Sequence, residues 1–303
     1  MEASAGAVKR VVLADGRKID CGAVILAVGH SARDTYEYLI DGGYNVEAKP
    51  FSVGVRIEHR QEDIDGAMFG RFAGLPGVPH AEYTLSHRCG DRGVYTFCMC
   101  PGGEVVAAAS EESGVVTNGM SRYSRDGRNA NAAIAVSVMR EDYGGTPHGA
   151  IAFQRNIERA AFRAGGGNYT APAQTVGDFL VRNVTGRGSS YVSPTYMNGK
   201  VKYCGFSDVL PTFVTDCLGE GIADFGKKIA GFDREDAVLT GPETRTSAPV
   251  RILRNEEYCA VGYDNIYPAG EGAGYAGGIT SAAIDGLKVA SALSLKYGKK
   301  DQA

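Results

Sequence analysis

The stretch that decides the fold reads Ile266-Tyr267-Pro268-Ala269-Gly270-Glu271-Gly272-Ala273-Gly274-Tyr275-Ala276-Gly277-Gly278-Ile279, and it passes directly from a short apolar strand into a predicted helix. It contains the spacing Gly272-x-Gly274-x-x-Gly277, which is typical of a dinucleotide-binding turn. The chain ends at Ala303, which leaves too little room for the returning strand and the ribose-binding acid expected about 20 residues further on. The sequence therefore predicts a cofactor-facing turn whose nucleotide-binding partner segment lies elsewhere.

This turn has the composition of a ligand-binding segment. Glycines allow the backbone to approach a ligand closely, and the first free N–H groups of the following helix, those of Gly278, Ile279 and Thr280, would point toward the bound group. A helix start favours developing negative charge, such as that on a reduced flavin. Glu271 is placed to accept hydrogen bonds from a polyol chain. The alternative is a glycine-rich turn that serves helix–strand packing alone.

The composition argues against several classes of function. The net charge is −3 and charged residues make up 22% of the chain, so nothing favours nucleic acid or an anionic membrane as a partner. The longest apolar runs are far too short to span a bilayer, and the first residues lack the apolar segment of a secretory signal. Seven cysteines without a small-domain disulfide pattern predict reduced thiols in a cytoplasmic protein.

Two kinds of segment alternate along the chain. An Asp15-Gly16 turn predicts a hairpin near the start, and the apolar run 23–29 predicts a strand buried on both faces, as in a parallel sheet. Ser31 is the predicted N-cap of a helix over 35–40. Further strands are predicted at 51–58, 93–100, 104–109, 132–138, 257–261 and 266–269, and further helices at 150–163, 208–229 and 279–293.

These segments indicate an α/β domain interrupted by an α+β domain. Residues 1–48 and 242–303 form the first, and residues 49–241, with an antiparallel sheet, form the insert. Within the helix predicted at 208–229, one apolar stripe recurs at helical spacing. It consists of Val214, Leu218, Ile222, Phe225 and Ile229.

Five motifs carry a family resemblance. They are Val24-Ile25-Leu26-Ala27-Val28-Gly29-His30-Ser31-Ala32-Arg33-Asp34-Thr35, Phe97-Cys98-Met99-Cys100-Pro101-Gly102-Gly103, Thr117-Asn118-Gly119-Met120-Ser121, Arg245-Thr246-Ser247-Ala248-Pro249-Val250-Arg251, and the stretch from Tyr267 to Ile279. Together they resemble bacterial FAD-dependent dehydrogenases of the "NAD(FAD)-utilising dehydrogenase" type, distant relatives of the glutathione-reductase-like flavoproteins. The resemblance covers nearly the whole chain.

The resemblance implies an FAD site and a hydride or electron transfer on an unspecified small molecule. Gly29 would lie by the adenosine or pyrophosphate, Gly270 and Glu271 by the ribityl–pyrophosphate region, and residues 277–279 by the flavin pyrimidine ring. The implied cofactor-binding set is Gly29, Gly270, Glu271, Gly272, Gly274, Gly277, Gly278 and Ile279. The implied fold is an FAD/NAD(P)-binding Rossmann-like domain interrupted by a substrate or cap domain that would cover the isoalloxazine ring.

One departure from the family is large. Its members begin with a βαβ unit that carries the phosphate-binding turn, and nothing before Val8 can form that unit. We therefore expect the carboxyl-terminal portion of a longer flavoprotein, an incomplete Rossmann-like domain that by itself binds FAD weakly or not at all and is inactive. The missing unit would expose an apolar sheet edge at residues 24–28, which predicts self-association.

Candidate chemistry outside the turn rests on a few side chains. Cys98 and Cys100 would point to the same face of a strand, and with His87 and Cys89 they make four ligands of the kind zinc uses, although their spacing matches no common zinc motif. Structural, redox and metal-binding roles stay open for them. Arg245 and Arg251 could bind an anionic substrate, or they could be solvated surface residues. His30 could contact a phosphate, or it could have a structural role. The catalytic candidates are Cys98, Cys100 and Arg245, and no metal site is assigned.

Two other functional hypotheses are alternatives to a flavoprotein. The first is a non-catalytic domain that binds no cofactor. The second is a metal- or thiol-based binding module built on the same four side chains, His87, Cys89, Cys98 and Cys100. FAD, bound by the full-length protein, is the cofactor that the resemblance favours.

Overall fold

The computed structural model describes residues 1–298, which form two compact units. The first unit comprises Met1–Phe51, Met139–Ala152 and the chain from Ser247 onward, and the second comprises Ser52–Val138 and Phe153–Thr246. The sequence places residues 139–152 in the insert, whereas the structure places them in the first unit. The physical reason is a shared core, because Ile151 packs in one buried cluster with Tyr36, Ala248 and Val250.

The described chain alternates short strands with helices. The strands are β1 (Glu2–Ser4), β2 (Ala7–Val12), β3 (Lys18–Asp20), β4 (Val24–Leu26), β5 (Val46–Ala48), β6 (Phe51–Arg60), β7 (Ser86–Cys89), β8 (Arg92–Cys100), β9 (Gly103–Ala107), β10 (Thr117–Ser121), β11 (Asn129–Val138), β12 (Ala171–Thr175), β13 (Val201–Tyr203), β14 (Val238–Glu243), β15 (Val250–Ile252) and β16 (Ile266–Pro268). The α-helices are α1 (Arg33–Asp41), α2 (Gln61–Phe69), α3 (Pro147–Gly165), α4 (Val176–Leu180), α5 (Thr212–Lys228) and α6 (Ile279–Tyr297). Single 3-10 turns cover Gly70–Phe72, Arg140–Tyr143, Tyr196–Asn198 and Phe206–Asp208.

The first unit is built from small sheets. The predicted hairpin is confirmed as β2 and β3, and β1 extends it to three strands. β4 pairs in parallel with β16, and β5 pairs antiparallel with β15. Since the parallel pair joins segments from the two ends of the sequence, the run after Val24 and the glycine-rich turn lie side by side.

The second unit contains a seven-stranded mixed sheet in the order β13-β12-β14-β6-β11-β8-β7. The sequence predicts an antiparallel sheet, but β12 and β13 pair in parallel. β9 and β10 form a separate antiparallel pair. The predicted apolar stripe is confirmed on α5 and its C-cap residue Ile229, since all five side chains are buried. The helix begins at Thr212 and not at Asp208.

Two local predictions are wrong, and some short elements were not predicted. Residues 257–261 form a turn with one isolated bridge from Arg254 to Ala260, in which Tyr258 has a φ of 66°. The N-cap of α1 is Ala32 instead of Ser31, and it has no side-chain hydrogen bond. Short elements with weak periodicity, such as β12 and β14, escaped the sequence analysis because proline and glycine interrupt them.

Some apolar side chains of the first unit face solvent. Ile25 on β4 is 54% exposed, and Leu287 and Leu295 on α6 are 69% and 70% exposed. The predicted self-association stays a prediction. Within residues 1–298, no helix combines the length and apolarity needed to cross a membrane.

Candidate functional site

The two strand ends of the parallel pair meet at Gly29 and Gly272. A Cβ atom added to Gly272 would lie 2.5 Å from the Gly29 carbonyl oxygen and 2.6 Å from its nitrogen, which no side chain tolerates. The Tyr36 hydroxyl donates a 3.0 Å hydrogen bond to the same Gly29 carbonyl. The sequence-predicted Gly29 and the glycine-rich turn are therefore in direct backbone contact.

The glycines of the turn divide into two groups. Gly270 and Gly274 have φ angles of 76° and 86°, the left-handed region that favours glycine. A Cβ at Gly274 would also lie 2.7 Å from the Val250 carbonyl oxygen on β15. Gly272 and Gly274 therefore serve close packing, whereas Gly270 is required by its positive φ alone.

The second half of the turn is open. A Cβ at Gly277 or Gly278 would meet no atom within 4 Å, and Ile279 is 93% exposed. Gly278 is the N-cap of α6 and offers no side-chain cap, while the first N–H groups of a helix have no intrahelical acceptor. The residues present thus fit an anionic or carbonyl-bearing group approaching the start of α6.

A buried ion pair that the sequence analysis missed holds this turn in place. Asp285 on α6 accepts hydrogen bonds from the Gly270 N–H at 2.7 Å and from Arg254 Nη1 at 3.0 Å. Arg254 Nη1 also donates to the Pro268 carbonyl at 2.8 Å, and the guanidinium lies 3.6 Å from the centroid of the Tyr275 ring. The polar sequence around Arg254 is typical of a solvated loop, so nothing in the sequence indicated that Arg254 is buried.

The pKa of Asp285 reflects this environment. Burial alone would raise it, but hydrogen bonds from Arg254 and the Gly270 N–H, together with the Arg254 charge, lower the pKa below its usual 3.8. The carboxylate therefore stays ionised and keeps the first residue of the turn fixed.

Charged side chains surround Glu271 in the first unit. His30 Nδ1 lies 3.6 Å from Glu271 Oε1. Burial and then the charge of Arg251 lower the pKa of Lys49, while Glu271 partly restores it. Lys49 Nζ donates to Ser247 Oγ at 3.2 Å, and Arg251 Nε donates to the Gly274 carbonyl at 3.2 Å. The cationic side chains of Lys49 and Arg251 therefore lie near the glycine-rich turn.

The second unit is organised around a buried arginine that the sequence analysis also missed. Arg56 is fully buried and pairs with Glu243 through Nε and Nη2, at 2.7 and 2.9 Å. It also donates to the side-chain oxygens of Asn118 and Asn131. A Cβ at Gly119 would lie 2.2 Å from Arg56 Nη1, which explains the glycine of the motif at 117–121.

Cys98 and Cys100 lie beside this arginine at a bulge in β8. Phe97 pairs with Ala133 and Cys100 with Asn131, so β8 has one extra residue there, and Cys98 has a φ of 46°. The bulge breaks the strict alternation on which the same-face prediction rests. The two side chains nevertheless lie within hydrogen-bonding reach of each other.

The metal site considered on His87, Cys89, Cys98 and Cys100 is contradicted, whereas a thiol-based role of Cys98 and Cys100 stays a prediction. Cys89 forms a disulfide with Cys217, and His87 Nδ1 lies 3.3 Å from Asp224 Oδ2. No cluster of three or more His, Cys, Asp or Glu side chains within residues 1–298 is arranged to hold a metal ion. The prediction of reduced thiols is likewise wrong for the disulfide-bonded pair.

Arg245 is buried and not solvated. Its Nη2 lies 3.0 Å from Glu158 Oε2, and the two side chains are 5% and 1% exposed. The Thr244 hydroxyl donates to the same carboxylate at 2.7 Å. Arg245 is thus part of an internal ion pair, and a contact with substrate stays a prediction.

Comparison with known proteins gives two findings. A family model described as "FAD-dependent protein, C-terminal domain-like" matches residues 50–246, a range that contains the whole second unit and also residues 139–152 of the first. An "Uncharacterized protein" of Clostridium beijerinckii (strain ATCC 51743 / NCIMB 8052) is 48% identical over 289 residues, which cover 94% of this chain and 54% of that protein. The chain thus spans about half the length of this relative.

Proposed function

The chain belongs to the family of FAD-dependent proteins with this C-terminal-like domain, and on that premise we propose that it is part of a flavin-dependent oxidoreductase of the dehydrogenase type. The family match covers residues 50–246 and supplies the cofactor class. Apart from residues 50–51 and 139–152, the first unit lies outside this match, so its role is argued from its own geometry.

One observation carries the proposal, namely the open start of α6 directly after the parallel strand β16. Ligands of open α/β sheets bind outside the carboxyl ends of the strands. Here those ends are Gly29 after β4 and the turn after β16, held together by the backbone contact at Gly272. This arrangement favours an incomplete Rossmann-like FAD site in the first unit.

Each group at the turn has a definable role toward FAD. Gly277 and Gly278 let the flavin end approach the backbone, and the N–H groups at the start of α6 stabilise negative charge on it. Lys49 and Arg251 add positive charge, and Glu271 accepts hydrogen bonds from hydroxyl groups. When bound, FAD supplies the hydride or electron transfer, while these residues position it and exclude water.

We infer that FAD binds weakly to this chain alone. A dinucleotide site also needs a glycine-rich phosphate turn between a strand and a helix for the ADP half. Within residues 1–298, the Gly-x-Gly-x-x-Gly spacing after β16 serves the flavin end in this proposal, and two of its glycines are used for packing.

The experiment is an FAD titration followed by flavin fluorescence. Gly278→Ala adds a methyl group that has room in the protein, so the variant should fold normally, as seen by circular dichroism. Its affinity should fall at least tenfold, about 1.4 kcal/mol, because the methyl group enters the ligand space. Gly286→Ala, also in open space but within α6, is the matched control and should bind like the unmodified chain.

Two results would count against the proposal. One is an unmodified chain whose added FAD stays spectroscopically free at all concentrations, as the non-catalytic alternative expects. The other is an affinity of the Gly278→Ala variant equal to that of the Gly286→Ala variant.

A further inference from the structure

We infer that Cys98 and Cys100 form a redox-active dithiol that exchanges with small disulfides, with Cys98 as the attacking thiol and Cys100 as the resolving thiol. The pair lies within the second unit. The inference rests on its geometry and does not depend on flavin binding in the first unit.

Access distinguishes the two thiols. Cys98 is exposed, whereas Cys100 is only 6% exposed. Cys98 also lines a cavity of 230 Å³ together with Thr96 and Tyr83. The Tyr83 hydroxyl is buried and has no hydrogen-bond partner among the described residues. A small disulfide therefore reaches Cys98 first.

The two thiols, which lie beside the buried Arg56, have different pKa values. Its Nη1 donates to the Cys98 carbonyl at 2.8 Å and lies 3.9 Å from Cys100 Sγ. A hydrogen bond from the Cys100 thiol and the charge of Arg56 outweigh burial and lower the pKa of Cys98 to about 5. The shared hydrogen bond and burial raise the pKa of Cys100. The pair therefore holds one proton near neutral pH, on Cys100, and Cys98 is the thiolate that attacks.

The backbone bulge and the buried Arg56 define the surroundings of the two cysteines. The bulge adds one residue to β8 between Phe97 and Cys100, and Arg56 is itself held by the Glu243 carboxylate. Cys100 Sγ also lies 3.3 Å from the Cys98 carbonyl oxygen. The pair is thus preorganised within a buried polar network.

The reaction balances without a metal or flavin. The Cys98 thiolate attacks one sulfur of a disulfide RSSR, which forms a mixed disulfide and releases RS⁻. The released thiolate takes up the proton that Cys100 loses, and the Cys100 thiolate then attacks Cys98 Sγ and releases the second RS⁻. In total, the dithiol is oxidised to a Cys98–Cys100 disulfide, and RSSR and one further proton from solvent give two RSH.

The first test measures thiol alkylation of the full chain against pH, resolved by peptide mass spectrometry. The Cys98 rate should change less than about twofold between pH 6 and 8.5, because the thiolate is already formed. Cys204 is the internal control, since burial raises its pKa, and its rate should rise roughly 300-fold over that interval. A Cys98 rate that climbs in parallel with that of Cys204 would overturn the inference.

The second test uses glutathione disulfide as the probe. The unmodified chain should gain a Cys98–Cys100 disulfide, the Cys100→Ser variant should retain one glutathione on Cys98, and the Cys98→Ser variant should do neither. The Cys204→Ser variant should behave like the unmodified chain. A Cys100→Ser variant that carries no glutathione, or an unmodified chain that keeps the mixed disulfide, contradicts the assigned roles.

Discussion

The carboxylate of Asp285 on α6 accepts a 2.7 Å hydrogen bond from the backbone N–H of Gly270, the first residue of the glycine-rich turn. The same carboxylate pairs with Arg254, and both side chains are 8% exposed. A hydrogen bond from the turn to Asp285 therefore links the turn to the following helix, and the buried ion pair with Arg254 holds Asp285 in position. This tie keeps the open start of α6 beside the end of β16.

Removing this carboxylate should loosen the turn and destabilise the first unit. Asp285→Asn leaves the Arg254 charge buried without its partner, which should cost about 3 kcal/mol. The measurement is urea unfolding followed by circular dichroism. Lys288→Gln, one turn further along α6, is the control and should shift the midpoint little.

The same pair predicts a pH dependence with a definite sign. Because the folded pKa of Asp285 lies below 3.8, its stabilisation is complete above that pH and is lost as the pH falls through the folded pKa. The stability difference between the unmodified chain and Asp285→Asn should be constant near neutrality and shrink below pH 3.8. A difference that grows on acidification would show that another group is responsible.

Gly272→Ala should disrupt the contact between the two strand ends. Its methyl group would lie 2.5 Å from the Gly29 carbonyl oxygen, and overpacking against backbone costs about 1–3 kcal/mol. The thermal midpoint should fall and FAD binding should weaken with it. Gly286→Ala, which meets no atom within 4 Å, should be at least as stable as the unmodified chain. Equal midpoints for the two variants would refute the close approach.

Breaking the buried pair of the second unit should be more costly than breaking a surface pair. Glu243→Gln leaves the fully buried Arg56 without a counter-charge, which should cost about 3–5 kcal/mol. The matched control is Asp216→Asn, since Asp216 pairs with Arg182 and the two side chains are 41% and 77% exposed. That change should cost less than about 1 kcal/mol, and equal losses in denaturant titrations would contradict the buried network.

The Cys89–Cys217 disulfide should stabilise the second unit. It joins residues 128 apart in sequence, and a native disulfide contributes about 2–4 kcal/mol by restricting the unfolded chain. Reduction with dithiothreitol should lower the urea midpoint of the unmodified chain but not that of the Cys89→Ser/Cys217→Ser variant. Rapid alkylation of Cys89 in the unreduced protein would show that the bond is absent.

Local patterns predicted much of the secondary structure. The Asp15-Gly16 hairpin and the apolar stripe of α5 were recognisable because turn chemistry and helical periodicity act within a few residues. The glycine-rich turn was recognisable for the same reason. These signals also predicted that an α/β unit is interrupted by a second one, although not that residues 139–152 return to the first.

The buried ion pairs around the glycine-rich turn and around Cys98 could not be predicted from local patterns. Arg56 and Glu243, and Arg254 and Asp285, are far apart along the chain or lie in polar runs that read as surface. Charged residues are ordinarily exposed, so their burial follows only from partners brought by tertiary packing. The Cys98 bulge likewise depends on how β8 pairs with β11.

The sequence by itself therefore determined that a glycine-rich turn follows an apolar strand and leads into a helix, because backbone freedom and helix-start chemistry are local properties; that this turn faces a cofactor stays a prediction. Only the tertiary structure decided which glycines pack against Gly29 and β15 and which, at 277 and 278, stay open. It also decided that Cys89 pairs with Cys217 while Cys98 lies beside Arg56. These assignments depend on contacts between distant segments, and such contacts exist only once the chain has folded.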